Sequence, residues 1–418
     1  MRVISTIVLL VWTIVLQAQT GSYLEDLATL KSILQKTPSY KDQIQGDKLA
    51  AYNALYARLV ADTTGNITGY KYFYNLAQLV FPLKDNHLGF YQVSDYSNFK
   101  NKDAIENYIK TAAFSAYPSY EIDIDSLKAA MAQKPFDSIE GIYHYDKFYS
   151  VGLFKSGDKE YTGVVLDSDI NLWQKGQVAM HLYEYKPRRF KAIYGHPLFK
   201  NFLLQPNEKY NNQSLLNSYF YSSYSQNIYS KRLPYRSYAD LPKNAQRFEL
   251  KNINDKVQYL LLRSFQATAS TMQRSKIFYD SIKNLLKAPN LVLDLRNNEG
   301  GAKKQAGKYF KLLKKYSKKG KLYVLVNNET ISQAEIFTLR LKKVKNVVTI
   351  GQTTKGMLAY GSNYGKRERL PGQKVEIYIT DMRGKPEYLR YEDEGISPDI
   401  YLDDRSDWID QTLQILGM

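Results

Sequence analysis

A serine stands where a strand-like run opens into a helix. The run is Leu322–Val326, and Asn328-Glu329-Thr330-Ile331-Ser332-Gln333-Ala334-Glu335 follows it. Earlier in the chain a second strand-like run, Leu291–Leu295, opens into Arg296-Asn297-Asn298-Glu299-Gly300-Gly301. Together the two segments hold what acyl transfer requires. A serine hydroxyl becomes a nucleophile once a base takes its proton. Backbone N–H groups can stabilise an oxyanion, and glycine lets the backbone come close because no Cβ intervenes. The N–H of Gln333, next to the serine, is one candidate donor, and Gly300-Gly301 supplies the other. Position alone leaves a second reading open, with Ser332 a helix N-cap and the glycines a tight turn.

A base and its supports must come from elsewhere in the chain, and composition limits the choice. There is no cysteine and there are only four histidines, at 87, 144, 181 and 196, none paired at ligand spacing. A cysteine zinc site is excluded, and the histidine spacing argues against a catalytic metal. The G-x-S-x-G, H-E-x-x-H, G-x-x-x-x-G-K-[ST] and G-x-G-x-x-G patterns are all absent. No metal or organic cofactor is expected. The net charge of +17 draws on lysines crowded over 303–321. Ala306, Phe310, Leu313 and Tyr316 recur there at helical spacing, which makes the lysines the solvated face of a helix. The alternative is an anionic partner; no nucleic-acid-binding motif accompanies it, and none is expected as a partner.

The 418 residues, 44% hydrophobic and 24% charged, describe a soluble globular chain of two or three domains. Arg2, the apolar run to Leu16 and Ala18 read as a secretory signal peptide over 1–18, shorter than the roughly 20 apolar residues a membrane span needs. The expected location is therefore the periplasm or the extracellular space, with no membrane span. Residues 19–135 carry leucines at helical spacing and form an expected N-terminal helical region, interrupted at Thr64-Gly65-Asn66 and containing a loop with His87. Residues 136–203 alternate in short runs separated by turns, the pattern of a β-rich middle module. Residues 204–244, rich in Tyr, Asn and Ser with no clear period, are expected to be a linking segment with partly buried rings. From 245 to 418 strands and helices alternate, which predicts an α/β domain with parallel sheet. Its expected strands are Val257–Leu262, Leu291–Leu295, Leu322–Val326, Val347–Ile350 and Val375–Ile379. The fold class is α+β multidomain.

Four ordered segments over about 250–405 resemble the serine peptidases of the carboxy-terminal-processing and tricorn-core family. They are Leu291–Gly301, Val326-Asn327 leading to Ser332–Phe337, Gly351-Gln352-Thr353-Thr354-Lys355-Gly356, and Glu394-Gly395-Ile396-Ser397-Pro398-Asp399-Ile400. The resemblance implies a ClpP/crotonase-like α/β spiral for the C-terminal domain, with Ser332 as nucleophile and a peptide or protein as substrate. One branch of the family uses a lysine base, but that position holds Met357 here, with Lys355 two residues earlier. The tricorn-like branch uses a histidine in an L-x-D-x-H motif, which Leu83-Lys84-Asp85-Asn86-His87 fits. The same branch implies Glu392 as an acid that orients the polar network. A free imidazole titrates near neutrality, which suits His87 to the task of a base. The Gly-hydrophobic-x-x-Gly-Asp element of a carboxylate-capturing PDZ domain is not visible in 141–186. A rival expectation is a non-catalytic ligand- or peptide-binding protein on the same scaffold.

Overall fold

The computed structural model describes residues 23–62, 69–225, 227–363 and 365–418. The expected signal peptide and the break at Thr64-Gly65-Asn66 lie outside the described residues. The protein is a mixed α/β multidomain chain. It divides into two compact units, one of residues 1–235 with Ser362–Met382, the other of Arg236–Gly361 with Arg383–Met418. Among the described residues no helix is long and apolar enough to cross a membrane.

The first unit opens with helices over 23–36, Pro38–Gln43, Asp47–Ala61 and Gly69–Gln78. Leu27, Leu30 and Leu34 fall at helical spacing and are fully buried, in one core with Phe73, Leu76, Leu83 and Phe90. Thr37 starts the second helix by accepting the Tyr40 N–H on its hydroxyl at 3.2 Å.

Most of the unit is one antiparallel sheet. Gly141–Tyr145, Tyr149–Gly157, Glu160–Ser168, Val178–Lys186, Arg189–Gly195 and Phe202–Asn211 follow one another as a meander. Ser214–Leu215 pairs with the last of these, and Tyr229–Ser230 joins it to the first through Ser214↔Ser230 and His144↔Ser230. The strands thereby close into a ring, which removes open edges. Phe202–Asn211 also pairs with Gly89–Gln92, which pairs in turn with Val375–Tyr378.

This arrangement differs from the sequence expectation in three places. The 204–244 segment is no linker at its start: it contributes three of the strands that close the ring, and Phe220 and Tyr229 are buried. The sheet is not confined to 136–203. Val375–Tyr378 belongs to this antiparallel sheet and not to the α/β layer, so the stretch from 245 to 418 is not one contiguous unit. Tyrosine accounts for the first difference, because its ring is buried while its hydroxyl gives the segment a polar composition.

The second unit is a six-stranded sheet. Phe248–Asn254 lies antiparallel at one edge, followed in order by Val257–Leu262, Asn290–Asp294, Lys321–Val326, Val347–Gly351 and Ile400–Tyr401, all parallel. Alternate residues face opposite sides. Leu260, Leu262, Leu291, Leu293, Leu322, Val324 and Val326 pack with Ala306, Tyr309 and Leu313 of the helix Lys303–Tyr316 and Phe337 of Gln333–Lys342. Tyr259, Leu261, Val292, Tyr323, Leu325 and Ile350 pack on the other side with Trp408 of Trp408–Ile415. Helices thus cover both faces, as near-continuous apolar strands require. The lysines at 303, 304, 311, 314 and 315 lie on the exposed face of their helix.

Candidate active site

Neighbouring parallel strands deliver their following loops to the same end of a sheet, where α/β proteins bind ligands. Asn290–Asp294 and Lys321–Val326 are such neighbours. Their loops are joined by hydrogen bonds from the Ile331 N–H to the Asn298 carbonyl at 3.0 Å, from the Asn297 N–H to Asn327 Oδ1 at 3.0 Å and from Thr330 Oγ1 to the Leu295 carbonyl at 2.8 Å. Below them Arg296 and Asp294 form a buried ion pair at 2.7 Å.

Ser332 is the residue before the helix Gln333–Lys342 and has φ 57° and ψ −122°. A side chain rarely adopts this left-handed φ, which costs on the order of 1–3 kcal/mol. Gly300, at φ 80°, lies against it. A Cβ on Gly300 would stand 2.9 Å from the Ser332 Cβ and 2.8 Å from both the Gln333 nitrogen and the Ile331 oxygen. Only glycine fits there. Gly301, at φ 126°, is held equally close to the backbone of Phe265.

The structure separates the two expected glycine donors. The Gly300 N–H already donates to Asn298 Oδ1 at 2.9 Å. Gln333 begins its helix, where N–H groups have no partner within the helix.

The carboxylate of Glu335 organises the turn. It is fully buried and accepts from the Ser332 N–H at 3.0 Å, the Thr354 hydroxyl at 2.6 Å, the Gly356 N–H at 2.8 Å and the Met357 N–H at 2.9 Å. Burial pushes its pKa up, and these four donors pull it back. One side chain thus fixes both the serine turn and the 354–357 loop. Sequence reasoning missed this role. Its signal was the Ser-x-x-Glu spacing, in which the glutamate reaches back to the N-cap N–H.

Glu392 is also fully buried, and its Oε2 accepts the Leu358 and Ala359 N–H groups at 2.8 Å each. It brackets the far end of the same loop. Lys355 places its ammonium 3.5 Å from Glu329 Oε1.

His87 belongs to the first unit. It occupies a turn ahead of the strand Gly89–Gln92, between buried Leu83 and Leu88. Gln43 clasps the start of that loop, donating from Nε2 to the Lys84 carbonyl at 2.9 Å and accepting the Lys84 N–H at 3.0 Å. Burial lowers the His87 pKa to about 4, so the ring is neutral at pH 7. The remaining histidines lie in the sheet region of this unit. His196 Nδ1 lies 3.1 Å and 3.0 Å from the Leu198 and Phe199 nitrogens and caps a turn; His181 stacks on Tyr70. Among the described residues no group of His, Cys, Asp and Glu could hold a metal ion.

Residues 302–402, which include Ser332, Glu335, Lys355 and Glu392, match the model of a peptidase family. What the segment is similar to is a class of serine-type hydrolases of peptide bonds. That model is peptidase family S41, and the match is confined to this segment. No curated protein matches the sequence. Among solved structures the chain is similar to mature CPAF, at 12% identity over 96% of this chain and 97% of that one, with a TM-score of 0.47. It is similar to the photosystem II D1 C-terminal processing protease at 14% identity over 95% and 98%, with a TM-score of 0.38. The tricorn protease matches at 19% identity over 38% of this chain and 17% of that one, with a TM-score of 0.30.

Proposed function

We propose that Ser332 is the nucleophile of this peptidase and His87 its general base, on the histidine-base side of the family. The Ser332 hydroxyl attacks the scissile carbonyl of a peptide or protein while His87 takes its proton. The tetrahedral oxyanion is received by the Gln333 N–H and by Gly301, the member of the glycine pair whose neighbour Gly300 has its N–H bonded to Asn298. His87 then returns the proton to the leaving amine, and an acyl-enzyme remains. Water, deprotonated by the same imidazole, releases the acid and restores Ser332. Glu392 supports the polar network by holding the 358–359 backbone. No metal or organic cofactor enters the scheme.

The observation that carries this reading is the left-handed conformation of Ser332 at a strand-to-helix turn, with Gly300 packed against its Cβ. A simple N-cap takes extended backbone and has no need of that strain. Burial keeps the His87 ring unprotonated at pH 7, the form a general base needs, although a pKa of about 4 makes it a weaker base than a free imidazole. Met357, at the family's lysine position, has no amine to offer and spends its N–H on Glu335. We also propose that the second unit carries the ClpP/crotonase-like spiral and that the chain is exported. Mass spectrometry of protein from its native host should then find the mature N-terminus near Gln19 or Thr20.

Covalent labelling tests the reading directly. A fluorophosphonate probe should modify Ser332 in the full chain, and Ser332→Ala should abolish the adduct. A folded wild-type protein that takes no label and cleaves no peptide would replace the enzyme with the binding-protein alternative.

A further inference from the structure

Residues 303–321 hold nine lysines and no acidic residue. On the helix Lys303–Tyr316, Lys304, Lys308, Lys311 and Lys315 recur at spacings of four, three and four, which lines them along one side. Lys304, Lys311 and Lys315 are exposed and Lys308 is half-buried. Like charges at these spacings weaken a helix, and Lys303 and Lys304 in the first turn oppose its dipole. Among the described residues no ion pair involves any of the nine lysines, so nothing offsets these costs. Asp280, on the adjoining helix, pairs instead with Lys276 at 3.2 Å and Lys283 at 3.0 Å. Folding gains nothing from this arrangement, and glutamates at alternate positions would have served the helix better.

The lysine stripe is the middle of a layer. The helices Ala269–Ile282 and Gln333–Lys342 cover the same face of the six-stranded sheet, with Ile282, Leu313 and Phe337 in one core. On one side Ser275 Oγ and Tyr309 Oη lie 3.1 Å apart; on the other the Arg340 guanidinium stands 3.8 Å from the centre of the Phe310 ring. Both flanks continue the charge. Arg274, Lys276 and Lys283 are exposed on the first, and Lys343 and Lys345 at the end of the second.

The same layer exposes aliphatic side chains. Ile277 is 63% exposed, Leu285 51% and Met272 40%. Among the described residues of these three helices no aromatic ring is exposed, and Phe278, Tyr279 and Phe310 pack against the core. A single-stranded nucleic acid is held by cations together with stacked rings. Cations interspersed with aliphatic side chains suit the boundary between anionic headgroups and acyl chains.

We propose that this three-helix face docks the protein on an anionic lipid bilayer. The lysines draw in the headgroups, and Ile277 and Met272 enter between them. The face uses no residue of the serine turn, so the catalytic reading and this one stand or fall separately.

Flotation of the full chain with vesicles tests it. Mixed phosphatidylglycerol and phosphatidylcholine vesicles should carry the protein at about 0.1 M salt and release it at about 0.5 M, and phosphatidylcholine alone should carry none. Lys304→Gln, Lys311→Gln, Lys314→Gln and Lys315→Gln combined should weaken vesicle binding about 10²-fold or more. That variant should melt no lower than wild type, because like charges have been relieved. Ile277→Ser should weaken vesicle binding about fivefold and leave binding of a single-stranded oligonucleotide unchanged. A wild-type protein that ignores anionic vesicles, or a fourfold variant that binds them as well as wild type, would overturn the proposal. An oligonucleotide bound more tightly than the vesicles, with Ile277→Ser affecting neither, would overturn it in favour of a nucleic acid. Should the fourfold variant fail to fold, Ile277→Ser and the salt series decide: unchanged vesicle binding in both would refute the docking face.

Discussion

In the second unit the strands turn Leu291, Leu293, Leu322, Val324 and Val326 into the core. The corresponding fully buried side chains of the first unit include Tyr143, Tyr145, Tyr194 and Tyr229. The aliphatic side chains carry no polar atoms, and the second unit's few core tyrosines, such as Tyr259 and Tyr309, bond Asp294 and Ser275. In the aromatic core several hydroxyls are paired one by one: Tyr149 and Tyr229 bond each other at 2.6 Å, Tyr143 donates to the Ile139 carbonyl at 2.7 Å, and Tyr194 donates to the buried Glu208 at 2.8 Å. Glu208 in turn accepts the Asn217 and Lys209 N–H groups at 2.8 Å each. Lys200 extends the pattern, with its ammonium buried 3.5 Å from the centre of the Trp173 ring and 3.9 Å from that of Tyr117, and bonded to Gln177 Oε1 at 2.8 Å. The second unit fills its strand faces chiefly with aliphatic side chains and keeps its buried polar bonds for the loops beyond them, whereas the first unit carries such bonds within its aromatic core. The proposed chemistry draws Ser332 from the second unit and His87 from the first.

The strongest way to break this division of labour is to remove one member from each unit. Ser332→Ala and His87→Ala should each lower kcat/KM by roughly 10⁴-fold or more, and the double variant should be no worse than the poorer single one, because nucleophile and base act together. Lys355→Ala, which loses a 3.5 Å contact with Glu329, should stay within about tenfold of wild type. Steady-state kinetics on a generic peptide substrate decides. A dead Lys355→Ala beside an active His87→Ala would move the base to the lysine branch.

Stability separates the two cores next. Leu293→Ala leaves a cavity in the aliphatic layer and should cost about 2–5 kcal/mol. Tyr229→Phe keeps the ring and removes the partner of the buried Tyr149 hydroxyl, at a cost of about 1–2 kcal/mol. Hydrogen exchange in urea, read on peptides from each unit, should place the first loss in residues 236–361 and the second in the sheet of the first unit. Equal loosening of both units by Leu293→Ala would show that they unfold as one.

The same contrast explains what the sequence revealed. Leu291–Leu295 and Leu322–Val326 read as strands because β-branched and leucine-rich runs bounded by glycine, asparagine and lysine admit little else, and the structure bounds them within one residue. The glycine and serine segments stood out because each follows such a run, and the structure brings Gly300 against Ser332 because the two strands are parallel neighbours. The ring closure was not. Tyr229–Ser230 is a two-residue strand in a tyrosine- and serine-rich stretch, and its place depends on pairing with residues 141–145, far away in sequence. Val375–Tyr378 looked like another parallel strand, because an alternating pattern does not say which sheet a strand joins. The Ser-x-x-Glu spacing held a signal for Glu335 that went unread, and its hold on Thr354, Gly356 and Met357 required the loop to be placed.

Acid should expose the smallest difference between the units. All four histidines lie in the first unit, and burial lowers the pKa of each: to about 4 for His87 and His181, and below the ordinary value for His144 and His196. An unfolded chain binds protons at these rings from about pH 6.5 downward, whereas the folded unit does so only nearer 4 for the two most shifted. Folding stability therefore falls as pH drops through that window. Asp85, raised by burial to about 6, opposes the trend, since a raised carboxyl favours the folded state at low pH and loses that contribution as pH rises through about 6. One such group sits against four histidines. The second unit has no histidine, and its shifted buried carboxyls, Asp240 at about 6 and Glu335, are both raised chiefly by burial. Its stability should hold or increase between pH 6.5 and 4. Hydrogen exchange at pH 7, 5.5 and 4.5, corrected for the intrinsic rate, should show the first unit opening first. The kinetic counterpart is a kcat/KM that rises with pH through about 4 and is flat at neutrality, because the His87 ring must be neutral to act as base. A limb at 6 to 7 would mean that the working imidazole is more exposed to water than the buried ring described here, and earlier opening of the second unit would remove the histidines as the cause of acid sensitivity.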